Sequence, residues 1–252
     1  MNHEHEIVGG GETFPNGNTP QYGTETLPAP LRDPAPMLDR TIDEWGGHGD
    51  LWLFGYGSLI WRPDFDFAER RPARVHGWHR ALKMWSRVNR GTVQNPGLVF
   101  GLLSGGSCQG MVFRIPAAEG LETLGRLWLR EMPTGVYDPR WLDCATSGGR
   151  VKALAFTLSR RSPNFTGELS DAHYRQIFRH ATGRYGTSLD YAEKTLAELQ
   201  RHAIHDRALA RLIRLARSEL SVPSDSEARG SPLHPKASAT LMSRSVNKQE
   251  KS

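Results

Sequence analysis

Residues 51–61 read LWLFGYGSLIW, an apolar run that leads directly into a turn containing two glycines. Gly55 and Gly57 have no Cβ atom, so the backbone there can come close to a bound ligand. Ser58 adds a hydroxyl group, and the amides of Gly57, Ser58 and Leu59 can form an anion-binding nest. The stretch therefore predicts a first strand followed by a ligand-binding turn. A tight turn that only joins two strands is the alternative.

Composition divides the chain of 252 residues into three parts. Residues 1–48 are acidic and rich in glycine and proline, and residues 221–252 are polar with few apolar side chains. Neither segment can bury enough apolar surface to offset its chain entropy, so both are predicted to be disordered. Residues 49–220 are predicted to fold as one domain.

The charge of the chain is unevenly distributed. The formal net charge is +5, but residues 1–50 carry −7, residues 51–220 carry +10 and residues 221–252 carry +2. The predicted domain is thus the cationic part of the chain, and an anionic partner is expected. Charge alone does not distinguish a nucleic acid from a small acid.

The two cysteines, Cys108 and Cys144, are 36 residues apart and form no C-x-x-C pair. This spacing supports neither a zinc knuckle nor a thioredoxin-like redox site, and we expect no metal and no cofactor. So few cysteines in a chain of this length are typical of reduced thiols, which indicates a cytoplasmic protein. No apolar segment is long enough to predict a signal peptide or a membrane span.

The order of the predicted elements indicates an α+β domain. Helical periodicity extends over residues 117–132, follows Ser170, and extends over residues 189–219 with a break near His205. A small, barrel-like sheet with one central helix and a helical C-terminal third is the predicted architecture. Strands are predicted over residues 51–56, 72–88, 98–103, 109–115 and 151–158, with a turn at Gly105 and Gly106.

Glu131 is the residue with the clearest potential for acid–base chemistry. It lies on the apolar stripe that Leu121, Leu124 and Trp128 form on the predicted helix. Glutamate is rarely buried without a partner, and burial raises its pKa toward the range of a useful general base. The alternative is a glutamate at the edge of the stripe that pairs with one of three arginines: Arg126, Arg130 or Arg140.

Five stretches together resemble the ChaC-type γ-glutamylcyclotransferases in content and in order. They are FGYGSLIWRPDF (54–65), VHGWHRALKMWS (75–86), NRGTVQNPGLVFGLLSGGSCQGMVFRI (89–115), LWLREM (127–132) and VYDPRWL (136–142). The resemblance continues into the final helices and covers residues 51–218. It implies a small mixed β-barrel with a catalytic helix.

The resemblance also implies an activity. The family cleaves γ-glutamyl peptides, glutathione above all, to 5-oxoproline and the remaining peptide, and a helical glutamate, here Glu131, is its catalytic acid/base. Because the substrate's own amine is the nucleophile, the enzyme needs no nucleophile or metal of its own. The loop that holds the γ-glutamyl group in this family corresponds here to Tyr56, Gly57, Ser58, Leu59, Ile60 and Trp61.

Three further parts of the chain bear on substrate binding. Tyr137 follows the catalytic helix where related cyclotransferases place a tyrosine near the site, with a packing role as the alternative. Arg90 can bind a substrate carboxylate through its two-pronged guanidinium, with a solvated loop residue as the alternative. Residues 187–189, Thr-Ser-Leu, depart from the family's G-x-N-x-D-Y pattern, which leaves open the substrate contacts of this loop and the role of Tyr191, which can also be core.

Two other functions remain open at this point. The same chemistry can act on other γ-glutamyl amines or γ-glutamyl amino acids. A non-catalytic basic module that binds nucleic acid is the second alternative, but Arg70-Arg71 and Arg160-Arg161 are the only adjacent basic pairs within the predicted domain. We therefore expect a small-molecule partner, glutathione, with no nucleic acid and no membrane partner. The oligomeric state stays open, with a monomer as one option.

Overall fold

The computed structural model describes residues 31–220. Its five long strands form a closed barrel and pair mainly antiparallel, in the order first, third, second, fourth, fifth. The first strand also meets the fifth in parallel, at Leu53 and Leu154. The strands are β1 (Leu51–Gly55), β2 (Glu69–Ser86), β3 (Gly97–Ile115), β4 (Asp138–Thr146) and β5 (Gly149–Thr157).

Within residues 31–220, five helices pack around this barrel, three of them after residue 170. The predicted α+β architecture, a small barrel with one helix between its strands and a helical C-terminal third, is confirmed. A short ribbon of β6 (Thr182–Gly183) and β7 (Gly186–Thr187) precedes the fourth helix. The helices are α1 (Ala35–Trp45), α2 (Ala117–Glu131), α3 (Asp171–His180), α4 (Ser188–Arg201) and α5 (Arg207–Leu220).

The hairpin of β2 and β3 is longer than the sequence indicates. Residues 98–103 and 109–115 were expected as separate strands, but both belong to β3. Gly105 and Gly106 have φ values of 97° and 72°, and the β2–β3 register shifts beside them, between His76 and Trp78. Glycine tolerates this left-handed conformation, so the strand bends there without ending.

Helix α1 corrects the prediction that residues 1–48 are disordered. Its side chains Leu38, Ile42 and Trp45 lie three or four residues apart and pack against the core. This spacing gives the short helix one apolar face, although proline-rich sequence precedes it. Residues 1–30 and 221–252, the remaining parts predicted to be disordered, lie outside the described residues.

Helix α2 packs against the barrel through Trp128, whose ring contacts Phe156 of β5, and ends at the candidate carboxylate. Leu124 and Trp128 are buried as predicted, whereas Leu121 remains 58% exposed. The helix ends where the Met132 amide donates to the Trp128 carbonyl over 2.9 Å, and Gly135 follows with a φ of 60°. No helix within residues 31–220 is long and apolar enough to cross a membrane.

Candidate active site

A cavity of about 630 Å³ lies beside the turn that follows β1. The end of α2, the end of β2 with the loop that follows it, and Tyr191 of α4 are among its walls. The charged side chains that line it are mostly arginines, so the cavity favours anionic ligands. They are Arg62, Arg87, Arg90, Arg126, Arg130 and Arg184, with the carboxylates of Asp64 and Glu131.

The turn after β1 presents part of its sequence to the cavity and part to the core. Residues Ser58–Ile60 form one turn of 3₁₀ helix, in which the Ile60 amide donates to the Gly57 carbonyl over 3.0 Å. Ser58 and Trp61 line the cavity, whereas the side chains of Leu59 and Ile60 are buried in the core. Of this predicted binding loop, Ser58 and Trp61 therefore offer their side chains to a ligand.

Gly57 lies against the hydroxyl group of Tyr191. A Cβ atom at position 57 would be only 2.8 Å from that oxygen, closer than real Cβ contacts allow. The glycine is thus required by close packing between the turn and α4, rather than only by the conformation of the turn.

Glu131 is the last residue of α2, and its side chain is 17% exposed. Its Oε1 atom lies 3.0 Å from Nε of Arg130. Burial raises the pKa of the Glu131 carboxyl above its usual value, although the cationic Arg130 opposes this shift. A carboxylate with a raised pKa can both accept and donate a proton near neutral pH.

Two buried tyrosines lie behind Glu131. The Tyr56 hydroxyl donates to the Phe156 carbonyl over 2.6 Å, and the Tyr137 hydroxyl is 3.4 Å from the Phe100 carbonyl. Burial raises the pKa of both phenols well above the usual value, and the nearby Glu131 carboxylate raises it further. Both phenols therefore stay protonated. Tyr137 lines the cavity, whereas Tyr56 is buried behind it.

Arg90 is a buried residue of the cavity wall. Its side chain is only 7% exposed, so it is not the solvated loop residue of the alternative interpretation. Nη1 donates to the Tyr185 carbonyl, and the guanidinium carbon lies 5.0 Å from the centre of the Tyr191 ring. Burial lowers the pKa of Arg90, while Tyr191 and Asp190 oppose that shift.

The residues that depart from the family pattern have internal roles. The Thr187 hydroxyl accepts from the Asp190 amide over 3.0 Å and caps α4, and the buried Ser188 hydroxyl accepts from the Leu98 amide over 2.6 Å. None of residues 187–189 lines the cavity. Tyr191 does line it, and burial raises its pKa to about 12.

The cavity also contains two residues that the sequence did not single out for function. The sequence indicates Arg130 only as an ion-pair partner of Glu131, and Asp64 only as part of a motif. In the structure these two residues form an ion pair of 2.9 Å. The adjacent Arg-Glu pair at the end of an amphipathic helix was the available signal. Among residues 31–220, no cluster of histidine, cysteine, aspartate or glutamate side chains is arranged to hold a metal ion.

The barrel defines the structural class of the protein. The solved structure of a yeast gamma-glutamyl cyclotransferase specific to glutathione superposes with a TM-score of 0.62. The two chains are 22% identical, and the match covers 68% of this chain and 97% of that one. At this identity the likeness concerns the fold alone, which is that of a cyclotransferase barrel.

Sequence comparison identifies the family. The model of the family described as ChaC-like protein matches residues 51–219, so this chain belongs to the ChaC-like family, as its motifs predicted. The glutathione-specific gamma-glutamylcyclotransferase of Escherichia coli (strain K12) is 34% identical over 180 residues, covering 71% of this chain and 78% of that protein. The glutathione-specific gamma-glutamylcyclotransferase 1 of Rattus norvegicus is 28% identical over 176 residues, covering 68% and 79%.

Proposed function

We propose that this protein is a γ-glutamylcyclotransferase that converts glutathione to 5-oxoproline and Cys-Gly. One observation carries the proposal: the largely buried carboxylate of Glu131 opens onto a cavity rich in arginine, in a chain of the ChaC-like family. The names of the related Escherichia coli and Rattus norvegicus proteins support glutathione as the substrate.

The reaction is an intramolecular acyl transfer. The α-amine nitrogen of the γ-glutamyl group attacks the γ-carbonyl carbon, and the bond from that carbon to the cysteine nitrogen breaks. Since nucleophile and electrophile belong to one molecule, the effective concentration of the amine is on the order of 10⁵ M or more when it is well oriented. The attacking nitrogen loses two protons as the ammonium group becomes a lactam N–H, and the cysteine nitrogen gains two as it becomes the ammonium group of Cys-Gly. The enzyme has to hold the reacting conformation and to assist this proton transfer.

Glu131 is proposed to carry the first of these protons. In its ionised form it accepts a proton from the substrate ammonium, which frees the amine to attack. In its protonated form it donates to the departing cysteine nitrogen, and the second proton of the attacking nitrogen passes to the released Cys-Gly amine. Desolvation raises the pKa of this carboxyl, which favours its use as both base and acid.

The cavity walls are proposed to bind the two ends of the substrate. Glutathione carries two carboxylates and one ammonium group, so a cavity with more arginines than carboxylates complements its charge. Ser58, Trp61, Arg90 and Tyr137 line the cavity and are the proposed side-chain contacts. Tyr56, Gly57, Leu59 and Ile60 are proposed to contribute by shaping the turn, because they are buried and do not line the cavity.

The test is incubation of the purified protein with reduced glutathione, with 5-oxoproline and Cys-Gly followed by mass spectrometry. Equal amounts of both products are expected, and Glu131→Gln should lower turnover by about 10²-fold or more, the scale of lost acid–base catalysis. Glu122→Gln is the matched control, because Glu122 is on the same helix but 75% exposed. Unchanged turnover in Glu131→Gln would remove Glu131 from the mechanism.

A parallel incubation with γ-Glu-Ala distinguishes the alternatives. Product from γ-Glu-Ala alone would retain the reaction but replace the substrate. Absence of product from both would contradict the proposed activity and leave the basic binding module, which predicts salt-sensitive retention on heparin.

We also infer a cytoplasmic location. Cys108 and Cys144 are both free and buried, which is typical of proteins in reducing compartments. Cell fractionation followed by immunoblotting tests this inference. Recovery in a secreted or membrane fraction would contradict it.

A further inference from the structure

The guanidinium of Arg130 binds several other groups of the candidate site. Its side chain is 19% exposed and projects from the last turn of α2, directly before Glu131. All three guanidinium nitrogens have oxygen partners. Nη1 lies 2.7 Å from the Arg62 carbonyl, 2.8 Å from the Pro63 carbonyl and 2.9 Å from Asp64 Oδ2, Nη2 lies 3.2 Å from Ser58 Oγ, and Nε lies 3.0 Å from Glu131 Oε1.

These contacts join two parts of the site that are distant in sequence. The loop of residues 62–64 and the Ser58 turn both follow β1, whereas Glu131 ends α2. A planar guanidinium presents donors in fixed directions, so one arginine can bind several oxygens at once, whereas a lysine ammonium offers a compact point charge. The contacts of Arg130 therefore depend on the shape of its side chain as well as on its charge.

The loop held by Arg130 has a backbone that needs support. Asp64 has a φ of 58°, in the left-handed region that residues other than glycine seldom adopt. Its carboxylate is bound both by Arg62 Nε, at 2.9 Å, and by Arg130. Such conformations cost free energy and persist where surrounding contacts enforce them, often at functional sites.

We propose that Arg130 is the positioning residue of this site, which holds the Glu131 carboxylate and the Ser58 hydroxyl in one fixed array on either side of the reacting atoms. The inference rests on the proposed function, because it assigns Arg130 a role through Glu131. Removal of Arg130 would take away the ion pair of Glu131. It would also break the contacts that hold the Ser58 turn and the loop of residues 62–64 to α2.

Electrostatics gives this proposal a distinctive consequence. Arg130 and Arg62 lower the pKa of Glu131, whereas burial and Asp64 raise it. Loss of Arg130 should raise the pKa further, and loss of the Asp64 charge should lower it. The charged and titratable groups that face Glu131 are Arg130 on α2, Arg62 and Asp64 on the loop, Tyr56 after β1, Tyr137 before β4 and Tyr191 on α4.

The experiment compares kcat/KM for glutathione as a function of pH in four variants. Arg130→Gln should lower kcat/KM by about 10²-fold, the scale of a misplaced catalytic group, and move the acidic limb of the profile to higher pH. Asp64→Asn should move the same limb to lower pH. Arg130→Lys retains the positive charge but not the planar guanidinium. Turnover should therefore fall, while the acidic limb moves less than in Arg130→Gln.

Arg126→Gln is the matched control. Arg126 lies on the same helix and lines the same cavity, but its ion pair is with Glu122 at 3.8 Å. This variant should leave the position of the acidic limb unchanged. An acidic limb that stays in place in both Arg130→Gln and Asp64→Asn would overturn the proposal, and so would a loss of less than about tenfold in Arg130→Gln.

A second measurement separates this proposal from the proposed function. Titration of the Glu131 carboxyl carbon by ¹³C NMR in the resting protein requires no turnover. If the wild-type protein has no activity but the pKa of Glu131 rises in Arg130→Gln, the function fails and the electrostatic role of Arg130 stands. If Arg130→Gln does not fold, the pKa of Glu131 is measured in Asp64→Asn instead. A lower pKa than in the wild-type protein supports the array, and an unchanged pKa overturns it.

Discussion

The guanidinium of Arg32 donates a hydrogen bond of 2.7 Å to the carbonyl oxygen of Tyr137, a residue of the cavity wall. The same side chain donates to the Gly135 carbonyl over 2.9 Å and pairs with Asp138 over 2.7 Å. Arg32 lies outside the part of the chain that matches the ChaC-like family, which begins at residue 51. A segment before the family domain therefore supports the loop that connects α2 to β4.

Replacement of Arg32 by alanine should destabilise that loop. The side chain is about half exposed, so each lost hydrogen bond contributes at the low end of about 0.5–1.5 kcal/mol. We expect Tm to fall by about 2–6 °C in calorimetry, for a domain of this size. Arg40→Ala, at an exposed position of α1, is the control and should leave Tm within about 1 °C. Equal Tm values for the two variants would contradict the supporting role of Arg32.

Two glycines on α2 test whether α1 packs against it. A Cβ atom at Gly120 would lie 2.2 Å from the Trp45 ring, whereas one at Gly125 would meet nothing within 4 Å. Gly120→Ala should therefore displace α1 and destabilise the protein. Gly125→Ala should stabilise it by about 0.5–1 kcal/mol, the gain in helix propensity. Urea denaturation measures both, and stabilisation by both variants would show that α1 does not pack on α2 in solution.

The contact between Gly57 and Tyr191 predicts a rescue. Gly57→Ala should raise KM for glutathione and lower kcat, because the new methyl group has to displace either the turn or the Tyr191 hydroxyl. Removal of that hydroxyl in the double variant Gly57→Ala/Tyr191→Phe should restore part of the loss. Steady-state kinetics of both single variants and the double variant provide the cycle. Strictly additive losses would mean that this contact does not explain the glycine.

Local pattern was sufficient to predict the two elements that carry the proposed chemistry. The apolar run before residue 55 predicts β1, and the helical stripe places Glu131 on the buried side of α2, as its 17% exposure confirms. Both inferences depend on periodicity within a few residues. The predicted roles of Glu131 and of the binding loop await the kinetic tests.

Long-range contacts account for the part of the site that the sequence did not predict. Arg130 contacts Ser58 and Asp64, which are 72 and 66 residues away in the chain. No local sequence pattern predicts contacts over this separation. Helix α1 was missed because its apolar face is short and proline-rich sequence precedes it. Thr187 looked like a lost substrate contact, but in the fold it caps α4.

The raised pKa of Glu131 implies that the site reduces the stability of the fold near neutral pH. Burial places the folded-state pKa of this carboxyl above the reference value of 4.5. At pH values below about 4.5 the carboxyl is protonated in both the folded and the unfolded protein, so the fold contains no buried charge at this position. As the pH rises from about 4.5 through the folded-state pKa, the carboxyl ionises more readily in the unfolded chain than in its desolvated position in the folded protein. The free energy of unfolding therefore falls over this range.

Glu131→Gln should therefore be more stable than the wild-type protein at neutral pH, while it is less active. The difference in unfolding free energy should grow as the pH rises from about 4.5 through the raised pKa and then level off. Urea denaturation across this pH range measures it, with Glu122→Gln, exposed on the same helix, as the matched control. A difference that shrinks as the pH rises would mean that the Arg130 ion pair outweighs desolvation, and that Glu131 is held as a structural anion.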